Sequence, residues 1–181
     1  MRWSIYSKRE HIQSKKKQKG AIELIDRKII LVIGNCGSGK TWVMRQVKGD
    51  GRGHKKLGKF VFHENDKCII VGKYAGHVFD GSDRLSMSVM TDLDHMIEYI
   101  RSRNKITLFE GDRFMNKTFI NKCDPFIIKI LDSGKDGRNN RGSNQTDRQI
   151  KAIQTRVSKI SADQEVLDSN KCLALINQII G

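Results

Sequence analysis

The sequence predicts an α/β fold in which a mostly parallel sheet is flanked by helices. Short apolar runs alternate along the chain with segments whose apolar residues recur every three or four positions, and this alternation is typical of strands joined by helical crossovers. A chain of 181 residues has the usual size of one domain and can bury a core without disulfides or metals. We therefore expect a single domain over residues 20–181.

Each predicted strand is a short apolar run bounded by polar or turn-forming residues. The runs are 21–25, 29–33, two within 60–74, one within 105–114 and one within 126–134. The run at 29–33 leads directly into a glycine-rich loop, and the run within 105–114 ends in an acidic loop. Both loops would lie at the carboxyl edge of a parallel sheet, where α/β proteins bind their ligands.

Four helices are predicted from apolar spacing and end signals. They run from Lys40 to about Val47, from Ser88 to about Arg101, over 144–160, and over 170–180 after Ser169 as N-cap. The segment 48–59 is rich in glycine and lysine, and we expect a loop there.

The glycine-rich loop matches the phosphate-binding pattern G-x-x-x-x-G-K-[ST] at every fixed position. Its residues are Gly34, Asn35, Cys36, Gly37, Ser38, Gly39, Lys40 and Thr41. Backbone N–H groups in such a loop and at the following helix N-terminus bind phosphate oxygens. We expect Lys40 to reach the β- and γ-phosphates of ATP and the Thr41 hydroxyl to bind Mg²⁺. Cys36 is interpreted as a tolerated loop residue, with a nucleophile as the alternative, and the pattern predicts a P-loop NTPase-type fold.

Acidic side chains supply the second part of the predicted site. Glu110 ends a buried strand and is placed to hold a Mg²⁺-bound water or to order the acceptor, with an ordinary strand-end carboxylate as the alternative. Asp112 and Arg113 share its loop, and one of these three residues can serve only to brace the others. Asp83 is the stronger candidate for accepting a proton from an attacking hydroxyl. The alternative for Asp83 is that it caps the following helix.

Three arginines, Arg138, Arg141 and Arg148, lie in the loop-to-helix segment 134–149. Guanidinium groups on a closing lid offset the charge that develops on a transferred phosphoryl group and exclude water. We therefore predict an arginine-bearing lid over the phosphate donor. Solvated surface arginines are the alternative for at least one of the three.

The charge of the chain points to a polyanionic partner. Lys and Arg exceed Asp and Glu by 34 − 20 = 14, and seven of these cations fall within residues 1–20 and seven within 133–160. Grouped cations favour binding to DNA, whereas a solvated basic face is the alternative. Residues 1–19 lack a sustained period and are predicted to be a flexible basic arm.

Several classes of protein are disfavoured by the composition. The four cysteines are scattered without metal-ligand spacing, which disfavours a zinc site or a disulfide framework and fits a reducing cytoplasm. No apolar run approaches the roughly 18 residues of a membrane span, so we expect no membrane association. A GTPase would use Asn121-Lys122-Cys123-Asp124 to read guanine, but this segment precedes a predicted strand and does not end one. No convincing D-x-x-G switch accompanies it, because Asp50-Gly51-Arg52-Gly53 follows the first helix.

Four separated segments resemble, in their order, the small P-loop kinases of bacteriophages related to 5-hydroxymethyluracil DNA kinases, and are broadly similar to nucleoside monophosphate kinases. They are GNCGSGKT at 34–41, VGKYAGHVFDGSDRLS at 71–86, LFEG at 108–111 and RGSNQTDRQ at 141–149. The resemblance implies ATP- and Mg²⁺-dependent phosphorylation of the hydroxymethyl group of a modified pyrimidine in DNA. It places residues 34–41 on the donor and Asp83 with Gly81 and Ser86 on the acceptor side, and Glu110 is a further matching position.

One departure from that family keeps the acceptor open. Asp112-Arg113-Phe114 looks more like the acidic-Arg-aromatic loop of thymidylate and deoxynucleoside kinases, so a free nucleotide is the alternative substrate. A nucleic-acid-stimulated ATPase without kinase activity is the third hypothesis. A DNA kinase would also have to open or flip the target base, because a base inside a duplex cannot reach a bound γ-phosphate.

Overall fold

The computed structural model describes residues 27–50, 53–76, 80–140 and 145–181. These residues form a seven-stranded sheet with helices on both faces, so the predicted α/β class with a mostly parallel sheet is confirmed. The predicted basic arm 1–19, the predicted strand 21–25 and Arg141 lie outside the described residues.

The seven strands alternate with helices along most of the chain. They are β1 (Ile29–Gly34), β2 (Lys55–Leu57), β3 (Phe60–Glu64), β4 (Cys68–Val71), β5 (Ile106–Glu110), β6 (Phe126–Ile130) and β7 (Gln164–Val166). Their order across the sheet is β2-β3-β4-β5-β1-β6-β7. Strands β4, β5, β1, β6 and β7 are parallel, whereas β2 and β3 form an antiparallel extension beyond β4.

The described helices include the four predicted from apolar spacing. In chain order they are α1 (Lys40–Lys48), α2 (Leu93–Arg103), α3 (Lys117–Cys123), α4 (Lys135–Asn140), α5 (Asp147–Lys159) and α6 (Ser169–Ile180). Helix α2 begins later than predicted because a 3₁₀ turn, Val89–Asp92, precedes it. The N-cap of α6 is Asp168, whose carboxylate accepts from the Lys171 N–H, and not Ser169.

Strand β1 is the centre of the core. Its residues Ile30, Leu31, Val32 and Ile33 are all completely buried, as a strand covered on both faces requires. Ile30 and Val32 pack with α1 and α6 on one face, and Leu31 and Ile33 pack with α2, α3 and α5 on the other. Two helical layers therefore hold β1 and the loop that follows it.

The expectation of an irregular loop over 48–59 is wrong in part. Lys55–Leu57 is β2, which pairs antiparallel with β3 through a turn at Gly58, where φ is +55°. Lysines on a short edge strand are a common protection against further strand pairing. Strand β7 and helix α3 also have no counterpart in the sequence prediction.

The topology places a crevice beside the end of β1. The chain passes from β1 to β4 and β5 on one side of it and then crosses to β6 on the other, so the strand order reverses at β1. In open α/β sheets, ligands bind outside the carboxyl ends of strands at such a reversal. Within the described ranges, no helix is long and apolar enough to span a membrane.

Candidate active site

The glycine-rich loop joins β1 to α1 at this reversal. Gly37 and Gly39 have φ values of +85° and +88°. Cys36, which precedes Gly37, and Ser38, which lies between the two glycines, do not have positive φ. Alternation of left- and right-handed residues turns successive N–H groups toward one side, which builds an anion-binding concavity. The first N–H groups of α1, which begins at Lys40, lack intrahelical acceptors and point to the same end of the helix.

Helix α4 and the turn before it pack closely on this loop. A Cβ at Gly37 would overlap the Gly134 carbonyl oxygen, and a Cβ at Gly134 would overlap the Cys36 carbonyl oxygen. The Arg138 guanidinium donates to the Cys36 carbonyl at 2.8 Å and to the Ser133 carbonyl at 2.9 Å. The predicted lid residue Arg138 therefore contacts the loop directly.

The Lys40 ammonium lies on the loop itself. It donates to the carbonyl oxygens of Gly34 at 2.9 Å and Asn35 at 2.8 Å. Both acceptors are neutral, and an ionised phosphate oxygen is a stronger acceptor for an ammonium group. The side chain is thus already placed where a phosphate in the concavity would meet it.

Glu110 is brought to Thr41 by the pairing of β1 with β5. Its carboxylate is nearly fully buried, and one oxygen, Oε1, accepts from the Thr41 hydroxyl at 3.2 Å. The same oxygen accepts from the Ser82 N–H at 3.4 Å and the Tyr74 hydroxyl at 3.5 Å. Burial raises the pKa of Glu110, the Lys40 charge opposes that rise, and the Asp83 charge adds to it.

Asp83 lies in a 3₁₀ turn, Ser82–Arg84, and its side chain is exposed. Its negative charge contributes to raising the pKa of both Glu110 and Asp112, so Asp83 lies near both carboxyl groups. The alternative that Asp83 caps the following helix is not supported, since Asp92 occupies the N-cap position of α2.

Arg113 braces the turn that carries Asp83. Its guanidinium donates to the carbonyl oxygens of Ser82 and Asp83, both at 2.8 Å, and to the Met87 sulfur at 2.8 Å. These three contacts make Arg113 a positioning residue for the segment 82–87.

Asp112 is joined to α5 by an ion pair that local sequence did not indicate. Arg156 approaches its Oδ2 at 2.9 Å, and Oδ1 is buried with no hydrogen-bond partner in the described part of the chain. Burial raises the pKa of Asp112, the Arg156 charge opposes this rise, and the Asp83 charge adds to it.

Asp80 is a second residue that the sequence analysis missed. Its fully buried carboxylate accepts from the Arg45 guanidinium at 2.8 Å and from the Gly76 N–H at 2.7 Å, and Arg84 lies 3.5 Å away. Burial alone would raise its pKa, but the hydrogen bonds from Arg45 and Gly76 hold the pKa below its usual value. The network ties the segment carrying Asp83 to α1.

The remaining predicted residues are more dispersed. Arg148 is exposed in the first turn of α5, so Arg138 is the one lid arginine that contacts the glycine-rich loop in the described ranges. The segment Asn121–Asp124 ends α3, and Lys122 pairs with Asp94. The segment therefore ends a helix and does not follow a strand, as the sequence argument against a guanine-binding role for it expected.

The donor set beside the loop consists of hard oxygens. In the part of the chain that the structure describes, no group of three or more His, Cys, Asp and Glu side chains is arranged to hold a metal. A Mg²⁺ ion in a phosphate site needs only one or two protein oxygens, since phosphates and waters supply the rest. Thr41 and Glu110 fit that requirement.

Comparisons of the chain with protein-family models, curated proteins and solved structures found no match. The fold and the site together define an α/β protein whose sheet edge carries a glycine-rich loop, a lysine, and a threonine hydroxyl bonded to a buried carboxylate. This arrangement is compatible with a P-loop fold.

Proposed function

We propose that this chain is a P-loop kinase that uses ATP to phosphorylate the hydroxymethyl group of 5-hydroxymethyluracil in DNA. The observation that carries the proposal is the Thr41–Glu110 hydrogen bond beside a loop with left-handed glycines. A hydroxyl and a buried carboxylate at this position are the protein oxygens that a phosphate-bound Mg²⁺ requires.

The donor site is formed by residues 34–41. The loop N–H groups and the N-terminus of α1 bind the phosphates, and Lys40 moves its hydrogen bonds from loop carbonyls to phosphate oxygens. Thr41 and Glu110 would hold a Mg²⁺ ion, which would offset the charge on those phosphates. Arg138, already on the loop backbone, supplies a cation from the lid segment.

The acceptor site faces Asp83. Its exposed carboxylate orients the acceptor hydroxyl and takes its proton while the oxygen bonds to the γ-phosphorus and the bond to the β,γ-bridging oxygen breaks. Arg113 fixes the turn that presents this carboxylate. ADP and the phosphorylated base are the products.

A polymeric acceptor is supported by charge and by the order of the motifs. The net charge of +14 suits a polyanion, and the segments at 34–41, 71–86, 108–111 and 141–149 follow the order seen in phage DNA kinases. Action on DNA in the cytoplasm of an infected cell is consistent with both.

Phosphorylation of a free nucleoside monophosphate is the second candidate. The observation that favours it is the Asp112 carboxylate, whose pKa the Asp83 charge helps to raise and which belongs to an acidic-Arg-aromatic triplet. Such a triplet resembles the loop of deoxynucleoside kinases.

A transfer assay with γ-labelled ATP distinguishes these candidates. Acceptors would be DNA containing 5-hydroxymethyluracil, the same DNA containing thymine, and free hydroxymethyl-dUMP, with Lys40→Ala as the inactive control. Label in the modified DNA alone supports the proposal, and label in the free nucleotide alone selects the second candidate. ATP hydrolysis stimulated by DNA with no labelled acceptor would identify an ATPase.

A deletion of residues 1–19 adds an independent test. A kinase that acts on DNA should lose affinity and salt sensitivity with the arm, because fewer counterions are released on binding. A kinase for free nucleotides should be nearly indifferent to the deletion.

A further inference from the structure

A groove lies beside the candidate active site, over the antiparallel extension of the sheet. Two cavities of about 420 Å³ and 470 Å³ share His54 and Ala75 in their walls and therefore adjoin. We call the two together the basic groove. Its lysine and arginine side chains are Arg45, Lys48, Lys55, Lys56, Lys73 and Arg84.

Three lysines of the basic groove carry unbalanced charge. Lys48, Lys56 and Lys73 have no carboxylate partner within the described ranges. By contrast, Arg45 and Arg84 share the buried Asp80. The three lysines therefore present a positive surface that an anionic ligand would neutralise.

Glu64 balances a second group of cations near the groove. Lys55, Arg103 and Lys105 all approach its carboxylate, at 2.6, 3.7 and 3.2 Å. Lys55 and its neighbour Lys56 both line the groove, and Lys56 lies opposite Val61, another wall residue. Lys56 therefore adds charge to the groove that Glu64 does not balance.

Aromatic rings line the groove between its cations. The exposed His54 ring packs edge-on against His63 with centroids 5.1 Å apart, and His63 lies 6.1 Å from the Tyr74 ring. His63 and Tyr74 are buried, so His54 is the exposed ring of these three. An exposed ring among cations is typical of a site for single-stranded nucleic acid, where phosphates bind the cations and bases stack on the rings.

The wall of the groove adjoins the reacting groups. Tyr74 lines it and also donates to Glu110 at 3.5 Å. Arg45 lines it too, and it lies one helical turn after Thr41 on the same face of α1. The groove is therefore a neighbour of the candidate magnesium ligands, with the buried Tyr74 between them.

We infer that the basic groove binds a single-stranded stretch of the DNA that carries the acceptor base. This inference rests on the proposed function and specifies its acceptor as a polymer. Lys48, Lys56 and Lys73 bind successive phosphates, and His54 stacks on a base beside the one that is phosphorylated. A free nucleotide has one phosphate group and would not need three separate lysines.

The test compares two triple variants of the full chain that lose the same charge. Lys48→Gln, Lys56→Gln and Lys73→Gln are combined in the groove variant, and Lys117→Gln, Lys159→Gln and Lys171→Gln in the control. The control lysines are exposed and outside the groove. The probe is a fluorescein-labelled single-stranded DNA without modified bases, followed by anisotropy over a series of salt concentrations.

We expect the groove variant to bind the probe at least tenfold more weakly than the control. The slope of log affinity against log salt should fall by about 2, at roughly 0.7 per lost phosphate contact on a single strand. Binding of a fluorescent ATP analogue should be unchanged in both variants, which establishes that they fold. Equal losses of DNA affinity in the two variants would overturn the inference.

The outcome is separable from that of the proposed function. If DNA binding depends on the groove lysines but no phosphate is transferred, the inference about the groove stands and the proposed kinase function is wrong. If phosphate is transferred to modified DNA with equal KM in the groove and control variants, the kinase function stands and the inference about the groove is wrong.

Discussion

Thr41 and Glu110, 69 positions apart in the chain, are joined by a hydrogen bond of 3.2 Å at the end of the central strand. Thr41 opens α1 directly after the glycine-rich loop, and Glu110 ends β5, which pairs with β1 in parallel register. Local sequence places Thr41 at the start of a helix and Glu110 at a strand end, and the adjacency of β1 and β5 brings them together. The proposed magnesium site depends on this contact.

Removal of the Thr41 hydroxyl should weaken Mg²⁺-dependent phosphate transfer. We expect Thr41→Val to lose on the order of a hundredfold in phosphate transfer, because a metal ligand that acts on the transferring group is lost. Thr41→Ser keeps the hydroxyl and is the matched control. Equal activity of the two variants, measured at saturating Mg²⁺, would contradict a metal role for Thr41.

Replacement of Glu110 by glutamine should stabilise the protein while it abolishes transfer. Burial raises the pKa of Glu110, so at neutral pH the ionised form costs folding energy, whereas the amide oxygen of the Glu110→Gln variant is neutral and would still accept from Thr41. We expect a gain on the order of 1 kcal/mol in the free energy of unfolding at pH 7. Urea titrations measure it.

The pH dependence of that gain follows from linkage. A carboxyl whose folded pKa is raised binds more protons in the native state than in the unfolded state, so its contribution to stability falls as pH rises from the unfolded value of 4.5 through the folded pKa. The advantage of Glu110→Gln over the wild type should therefore vanish at acid pH. A constant difference between pH 4 and pH 7 would refute this explanation.

His63 should make the protein sensitive to mild acid. Burial, followed by the charges of Lys48 and His54, lowers the pKa of His63 to about 4. A histidine with a lowered folded pKa stabilises the native state above pH 6.5, and that contribution is lost as pH falls toward 4. We expect His63→Gln to lose less stability than the wild type between pH 7 and pH 4.5, by on the order of 2 kcal/mol. Parallel pH profiles for the two proteins in urea unfolding would disprove it.

The buried Asp80 carboxylate should matter for stability more than for chemistry. Asp80→Asn leaves Arg45 and Arg84 without their shared anion, and we expect the free energy of unfolding to fall by about 2 kcal/mol. The figure is below that of a fully buried pair because both guanidinium groups are more than one third exposed. Asp83→Asn is the control, and it should lose activity with little change in thermal unfolding. The reverse pattern would invalidate both assignments.

Gly37 should tolerate no side chain. Gly37→Ala combines a φ of +85° with overlap against the Gly134 carbonyl. We therefore expect the free energy of unfolding to fall by about 2–4 kcal/mol and ATP binding to be lost. At Gly49 φ is +61°, but the space around an added Cβ is open. Gly49→Ala should therefore lower the free energy of unfolding by about 1–2 kcal/mol, from the backbone strain without an overlap. Equal effects in thermal unfolding would show that α4 does not pack on the loop as described.

Local patterns in the sequence were sufficient for the parts of the fold that are continuous in the chain. The buried strand β1, the glycine-rich loop and α1 follow one another over residues 29–48, and apolar spacing marks α2, α5 and α6. Strands β2 and β7 were missed because each has three residues and no buried one, so neither has an apolar period. They exist because longer neighbours pair with them.

The side-chain network around the site was less predictable. Lys40, Thr41 and Glu110 were identified because a motif and a strand end fix their positions. The partners Asp80–Arg45 and Asp112–Arg156 connect residues that are far apart in sequence and obey no local spacing. The sequence left open which of Glu110, Asp112 and Arg113 serves only to brace the others, and Arg113 is the one that contacts the Ser82 and Asp83 carbonyls.

A crystal structure with Mg²⁺ and a non-hydrolysable ATP analogue tests the central claim most directly. We expect the analogue's β- and γ-phosphates within the loop 34–41, the Lys40 ammonium on their oxygens and no longer on Gly34 and Asn35, and the metal on the Thr41 hydroxyl. Phosphates bound elsewhere, or an empty loop at saturating analogue with the Lys40 contacts unchanged, would contradict it.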